Sequence, residues 1–239
     1  MRGREDRLNL KENEVHIWWT TFDTYHKNLN HLDKVEQEKV TRLKFPKDQE
    51  HQAITYTFLR DVLAEYTGQR PEDIEISRDC LGCGAQHGKP ALLNESQIKF
   101  NLSHTAHFVV VGVSNCELGI DIEEADEAKD VEFLYSALSQ SEKEQVDPKE
   151  KTKGLLTYWT RKESIVKALG VGLTIDLQAL VLSGCSEAPR IVAFPDGKLP
   201  NATMVDFELE DVMGCVTLLE AKEQPVNLIF RRHAAFCQS

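Results

Sequence analysis

Two stretches of the sequence gather the residue types that phosphate chemistry needs. In Gly119-Ile120-Asp121-Ile122-Glu123 two carboxylates stand two residues apart in an apolar alternation, so on a strand both leave the sheet from one face. In Trp159-Thr160-Arg161-Lys162-Glu163-Ser164-Ile165-Val166-Lys167 an anion, Glu163, and a cation, Lys167, are four residues apart and share one helix face. Three carboxylates and a lysine that converge are what a hard cation and a phosphate ester require. Mg2+ takes oxygen ligands, keeps several waters and is completed by substrate phosphates, and lysine supplies a point charge for a phosphate oxygen. Taken alone, the same residues would equally make the wet face of an antiparallel strand and an ordinary surface ion pair.

The elements that must position these residues can be read from periodicity. Leu118 to Ile122 alternates as a strand, and Leu155 to Leu169 has the spacing of a long helix that Gly170 and Gly172 terminate. Upstream, Glu14 to Thr21 reads as a strand, Leu29 to Leu43 as an exposed helix, and Asp48 to Tyr66 as a helix ended by Gly68. Ile74 and Ile76 suggest a short strand, Asp79 to Pro90 a glycine-rich loop, and Ile98 to Leu102 and Phe108 to Val113 two strands joined by Ser103 to His107. Ser139-Gln140-Ser141-Glu142 is a capping-box pattern that starts a helix. Pro148 with Lys149, Lys151 and Lys153 marks a basic loop before the long helix. Leu177 to Leu182, Ile191 to Phe194, Val205 to Leu209, Val212 to Leu219 and Val226 to Phe230 are strand-like, divided by turn signals. A glycine-ended helix followed by strands occurs in each half, which hints at duplication.

Gly88-Lys89-Pro90, Phe100-Asn101-Leu102-Ser103-His104, the stretch from Gly119 to Glu123 and the stretch from Trp159 to Leu173 occur in that order along the chain. Together they resemble the conserved blocks of the 4'-phosphopantetheinyl transferases, in the long, monomeric, surfactin-synthetase-activating type; weaker similarity covers about residues 36 to 68. The resemblance implies an α+β fold of two similar halves about a pseudo-twofold axis with the active site between them. Residues 1–119 would form the half that faces the nucleotide of coenzyme A, and residues 120–239 the half with the metal and the catalytic helix. It implies Mg2+-dependent transfer of 4'-phosphopantetheine from coenzyme A to a carrier-protein serine, leaving adenosine 3',5'-bisphosphate.

Residue by residue, Asp121, Glu123 and Glu163 match the family's metal-binding carboxylates. Glu163 also matches the base, acting directly or through a metal-bound water, and Lys167 would hold a pyrophosphate oxygen. His104, beside Ser103, matches the position that contacts the 3'-phosphate of coenzyme A. Lys89 and Pro90 belong to the block that faces the nucleotide phosphates, and Lys39 and Lys47 fall where the family has basic residues near the nucleotide. The chain departs from the family at Glu36 and Gln52, where relatives carry further basic residues. Trp159 shares the face of Glu163, and core packing is the simpler role for it. The family's carrier proteins present an acidic helix, for which Lys149, Lys151, Lys153, Arg161 and Lys162 are candidate contacts, unless they are only flexible surface lysines.

Composition limits the alternatives. With 28 Lys and Arg against 39 Asp and Glu the formal charge is -11, which argues against a nucleic-acid partner and requires any anion site to be locally basic. No apolar run has the length of a signal peptide or a membrane span, so a cytoplasmic protein is expected. Six scattered cysteines do not make a disulfide framework. Cys80, Cys83 and His87 are a partial zinc pattern, for which a plain glycine-rich loop is the simpler reading. Two other functions stay open on the sequence: a metal-dependent phosphodiesterase or nuclease, and an inactive module that binds coenzyme A or a carrier protein.

Overall fold

The computed structural model describes residues 7–79, 88–125, 131–221 and 225–233. Cys80, Cys83 and His87 lie outside the described residues, as do Asp126, Glu127, Lys129 and Asp130 of the acidic run after Glu123. The class is α+β, as expected, with antiparallel sheets. The chain divides into two compact units.

The first unit opens with β1 (Glu14–Thr21), whose Val15 and Ile17 are fully buried. The helix expected from Leu29 to Leu43 is interrupted. A 3-10 turn at Leu29–His31 precedes α1 (Lys34–Arg42), because Asp33 caps α1 and fixes its start. The Asp33 carboxylate accepts from the Glu36 N–H at 2.8 Å, and Glu36 Oε2 accepts from the Asp33 N–H at 3.2 Å. Nor is α1 wholly exposed, since Glu36 and Val40 are buried.

The long helix α2 (Pro46–Thr67) has proline in its first turn and ends at Gly68, which is left-handed at φ 66° and donates its N–H to Ala64 O. A two-stranded ribbon, β2 (Ile76–Ser77) and β3 (Ala91–Leu92), leads to β4 (Lys99–His104) and β5 (Phe108–Ser114). These two strands pair antiparallel, with Ser103 opposite Val110 and His104 opposite Val109. Phe58, Leu59, Val62 and Leu63 of α2 share one core cluster with Val109, Val111 and Val113 of β5.

The second unit begins with β6 (Leu118–Glu124) and α3 (Val131–Ser136), a short helix the sequence pattern did not show. Next comes α4 (Gln140–Gln145), with the expected capping box at Ser139 and Glu142. The helix α5 (Lys151–Leu169) starts earlier than expected, so Lys151 and Lys153 sit in its first turn and not in a loop. It packs on β6 and on a later strand, and its Leu155, Leu156, Tyr158 and Ile165 share a core cluster with Cys215 of that later strand. The strand expected from Leu177 shrinks to β7 (Val181–Leu182), because an Asp176 turn precedes it: Asp176 Oδ1 accepts from the Gln178 N–H at 2.9 Å. Then follow β8 (Ile191–Ala193), β9 (Ala202–Leu209) and β10 (Val212–Leu219); the sheet order is β6-β10-β9, antiparallel throughout.

The last strand, β11 (Asn227–Arg232), does not stay with this second unit. It joins the first, giving the sheet order β11-β1-β5-β4. The expected division was at residue 119. By compactness the second unit is Cys116–Asn227, and the first takes in chain on both sides of it, because the ladder to β1 holds β11. Among the described residues no helix is long and apolar enough to cross a membrane.

Candidate active site

The second unit brings together Asp121, Glu163 and Lys167. The period of β6 sends Gly119, Asp121 and Glu123 to one face, and the glycine shows that this face meets α5. A Cβ on Gly119 would collide with the carbonyl oxygen of Ser164 and the amide nitrogen of Ala168, so strand and helix touch backbone to backbone there. With the two backbones that close, Lys167 Nζ donates to Asp121 Oδ1 at 2.7 Å and to the Ile120 carbonyl at 3.3 Å.

Glu163 lies one helical turn before Lys167. Its Oε1 is buried without a hydrogen-bond partner among the described residues. Burial raises the Glu163 carboxyl above its ordinary range, the negative charge of Asp121 adds to this, and Lys167 pulls the other way. Glu123, opposite Met213, is half-buried two residues further along β6. Among the described residues no three His, Cys, Asp or Glu side chains close into a metal-holding group by themselves.

The helix that carries Glu163 is fixed by the two charges that immediately precede Glu163 in sequence. Arg161 is buried; its Nη2 donates to Asp206 Oδ2 at 2.5 Å and its guanidinium also serves the carbonyls of Gly184 and Glu187 at 2.9 and 2.8 Å. Lys162 is buried and donates to Glu142 Oε2 at 2.7 Å and to the carbonyls of Ala137 and Leu177. The expectation that Arg161 and Lys162 receive a carrier protein is thus corrected: both point into the unit and hold its chain together. Lys149, Lys151 and Lys153 are exposed. Lys151 and Lys143 place their ammonium groups 5.3 and 5.0 Å from the Tyr135 ring centre, and the exposed Phe133 meets the half-buried Trp159 edge-on at 5.2 Å.

In the first unit His104 is exposed at the end of β4, next to the buried Ser103. Phe22 links it to a residue that the sequence pattern did not single out. His51 stacks on Phe22 with ring centres 3.9 Å apart, and His104 meets the same ring edge-on at 6.4 Å. Lys47 lies one turn before His51 on α2, and that spacing was the one available signal. Burial lowers the His51 pKa from its ordinary value, and the charge of Lys47 adds to the effect. Lys39 stands apart from this group; burial, then the charge of Arg78, lower its pKa. Lys89 and Pro90 are half-buried just before β3. Glu36, where a basic residue was expected from the family, is fully buried between two arginines, with Arg60 Nε donating to it at 2.6 Å and Arg78 as its second partner. It is a core anion and not a weakened nucleotide contact.

Comparison with known proteins bears on both units. Residues 117–211 match the family model described as the 4'-phosphopantetheinyl transferase superfamily, and residues 16–116 match that of the 4'-phosphopantetheinyl transferase N-terminal domain. The chain is similar to the 4'-phosphopantetheinyl transferase HetI of Nostoc sp., at 29% identity over 183 residues, 70% of this chain and 73% of the relative. It is similar also to the transferase Sfp of Bacillus subtilis, at 25% identity over 174 residues, 72% of this chain and 75% of the relative. With gsp of Aneurinibacillus migulanus it shares 24% identity over 189 residues, 78% and 75% of the two chains. The paired matches run almost without a break from residue 16 to residue 211 and cover the β6 and α5 motifs, so the chain belongs to the 4'-phosphopantetheinyl transferases, as an enzyme of the Sfp type.

Proposed function

We propose that this chain transfers the 4'-phosphopantetheine of coenzyme A to a serine of an apo acyl, peptidyl or polyketide carrier protein, with Mg2+ as cofactor. The observation that carries this is the group on β6 and α5: a lysine, a carboxylate it pairs with, and a second carboxylate with a buried oxygen that lacks a hydrogen-bond partner among the described residues. That donor set fits Mg2+, which prefers oxygen, tolerates few protein ligands and leaves room for phosphate oxygens. Asp121 and Glu163 would hold the ion, with Glu123 as third carboxylate, and the ion would neutralise charge on the phosphates.

The remaining chemistry falls to the chain. The serine oxygen attacks the phosphorus next to the pantetheine arm, the bond from that phosphorus to the bridging oxygen breaks, and adenosine 3',5'-bisphosphate leaves. Glu163 accepts the proton of the serine hydroxyl, and the burial that raises its carboxyl above the ordinary range makes it a stronger base than an exposed glutamate. Lys167 steadies a pyrophosphate oxygen. His104, Ser103, Lys47, Lys39, Lys89 and Pro90 serve the nucleotide, and His51 joins His104 and Lys47 for its 3'-phosphate. Tyr135, with Lys143 and Lys151 over its ring, and Lys149 and Lys153 nearby in sequence offer an aromatic and basic face to an acidic carrier helix. A monomer acting in the cytoplasm is the setting in keeping with this reading.

The test is the intact mass of a panel of apo carrier proteins after incubation with the chain, coenzyme A and Mg2+, beside Glu163→Gln and a chelator control. A phosphopantetheine-sized gain that needs both Glu163 and metal is expected. No gain with coenzyme A intact would favour a binding module, and breakdown of coenzyme A without transfer would favour a hydrolase.

A further inference from the structure

Lys167 cannot do two things at once. Its ammonium lies on Asp121 Oδ1 at 2.7 Å and on the Ile120 carbonyl at 3.3 Å, yet the proposed chemistry needs Asp121 for a divalent cation and the ammonium for a phosphate. The surroundings favour exchange over sharing. Asp121 from β6 and Glu163 from α5 both bring a carboxylate to this point, and the one positive charge of Lys167 does not neutralise both. A divalent ion would offset both.

The helix itself is not free to turn, because Arg161 and Lys162 are anchored and Ser164 Oγ is 2.7 Å from Thr217 Oγ1. The lysine stem, in contrast, is flexible, and 27% of the Lys167 side chain is exposed against 7% for Asp121. The side chain has a way out, and the carboxylate does not.

We propose that Lys167 is a placeholder: its ammonium occupies Asp121 until a divalent cation takes that carboxylate, and the displaced ammonium then becomes available to a phosphate oxygen of the donor. Metal loading thereby switches on the phosphate grip. The inference rests on the metal assignment made above for Asp121 and Glu163, and adds that metal and lysine exclude one another at Asp121.

The test uses the whole chain without coenzyme A. Mn2+ is titrated into wild type and Lys167→Met and followed by electron paramagnetic resonance, with circular dichroism confirming that both are folded. Removing a competing charged hydrogen bond should tighten Mn2+ binding about tenfold. Lysine-selective NMR of wild type should also show the Lys167 ε-methylene signal moving and sharpening on addition of Mg2+, as the ammonium enters solvent.

Equal or weaker Mn2+ binding by Lys167→Met would overturn the exchange and leave the metal site standing. So would tighter binding with no response of the Lys167 signal, since that is repulsion without displacement. No Mn2+ binding by either folded protein would overturn the metal assignment itself, and the exchange with it.

Discussion

The two units use one plan to different ends. Each sets a long helix, ended by a left-handed glycine at Gly68 or Gly170, beside an antiparallel sheet. In the first unit the helix meets the sheet with hydrocarbon: Phe58, Val62 and Leu63 of α2 cluster with the valines of β5. Its buried cation, Arg60, is turned away to Asp33, Glu36 and the carbonyls of Pro71 and Ile74. In the second unit part of the seam is given to chemistry. β6 gives up a side chain at Gly119 so that Asp121 can reach Lys167 of α5, and the neighbouring charges Arg161 and Lys162 serve as internal bolts. A helix–sheet seam can thus carry a polar site when the apolar packing lost there is replaced by buried ion pairs that fix the helix.

The largest test of this contrast compares those bolts. Lys162 has Glu142 as its carboxylate partner, so Glu142→Ala leaves a buried ammonium uncompensated and should cost roughly 3 to 5 kcal/mol. Asp33→Ala leaves Arg60 and Arg78 still paired with Glu36, and a loss of about 1 kcal/mol is expected. Urea denaturation measures both, and equal losses would break the comparison.

Next, Gly119→Ala should destabilise by roughly 1 to 3 kcal/mol through overpacking. Carrier modification should fall further than this stability loss explains, because strand and helix are pushed apart at the carboxylates. An unchanged transfer rate would show that the close approach has no part in the site.

Reversing Lys149, Lys151 and Lys153 to Glu together should lower kcat/KM for an acidic carrier by about tenfold at low salt, and less at high salt, with stability nearly unchanged. Unchanged kcat/KM would move docking elsewhere.

The smallest effect belongs to the first unit. NMR titration should put the His51 midpoint below the ordinary histidine value, and Lys47→Gln should raise it. Because the folded-state pKa is depressed, the contribution of neutral His51 to stability is present above the ordinary histidine range and is lost as pH falls through the lowered midpoint. A midpoint unaffected by Lys47→Gln would separate the two residues.

Much of this was legible because it is local. The period of two in β6 placed Asp121 and Glu123 on one face, the period of helix α5 did so for Glu163 and Lys167, and Ser139 with Glu142 announced a cap. What escaped was set by distant partners. Arg161 and Lys162 look like surface charges until Asp206 and Glu142 are brought to them, and Glu36 looks like a poor substitute for a basic residue until Arg60 and Arg78 close around it. The stacking of His51 on Phe22 likewise depends on pairing between segments, which no window of sequence contains. Glu142 shows the limit within one residue: its capping role could be read from the residue three positions earlier, and its role as the counter-ion of Lys162 could not.

The return of β11 to β1 has a consequence for how the molecule is made. On a ribosome the segment Cys116–Asn227 emerges whole before the first unit's sheet can close, so the unit begun first is finished last. Until β11 arrives, β1 is an open edge carrying Ile17, Trp18 and Trp19, a template for unwanted pairing between nascent chains. Loss of β11 would therefore be felt first as poor yield of folded protein, with the carboxylates of the second unit intact.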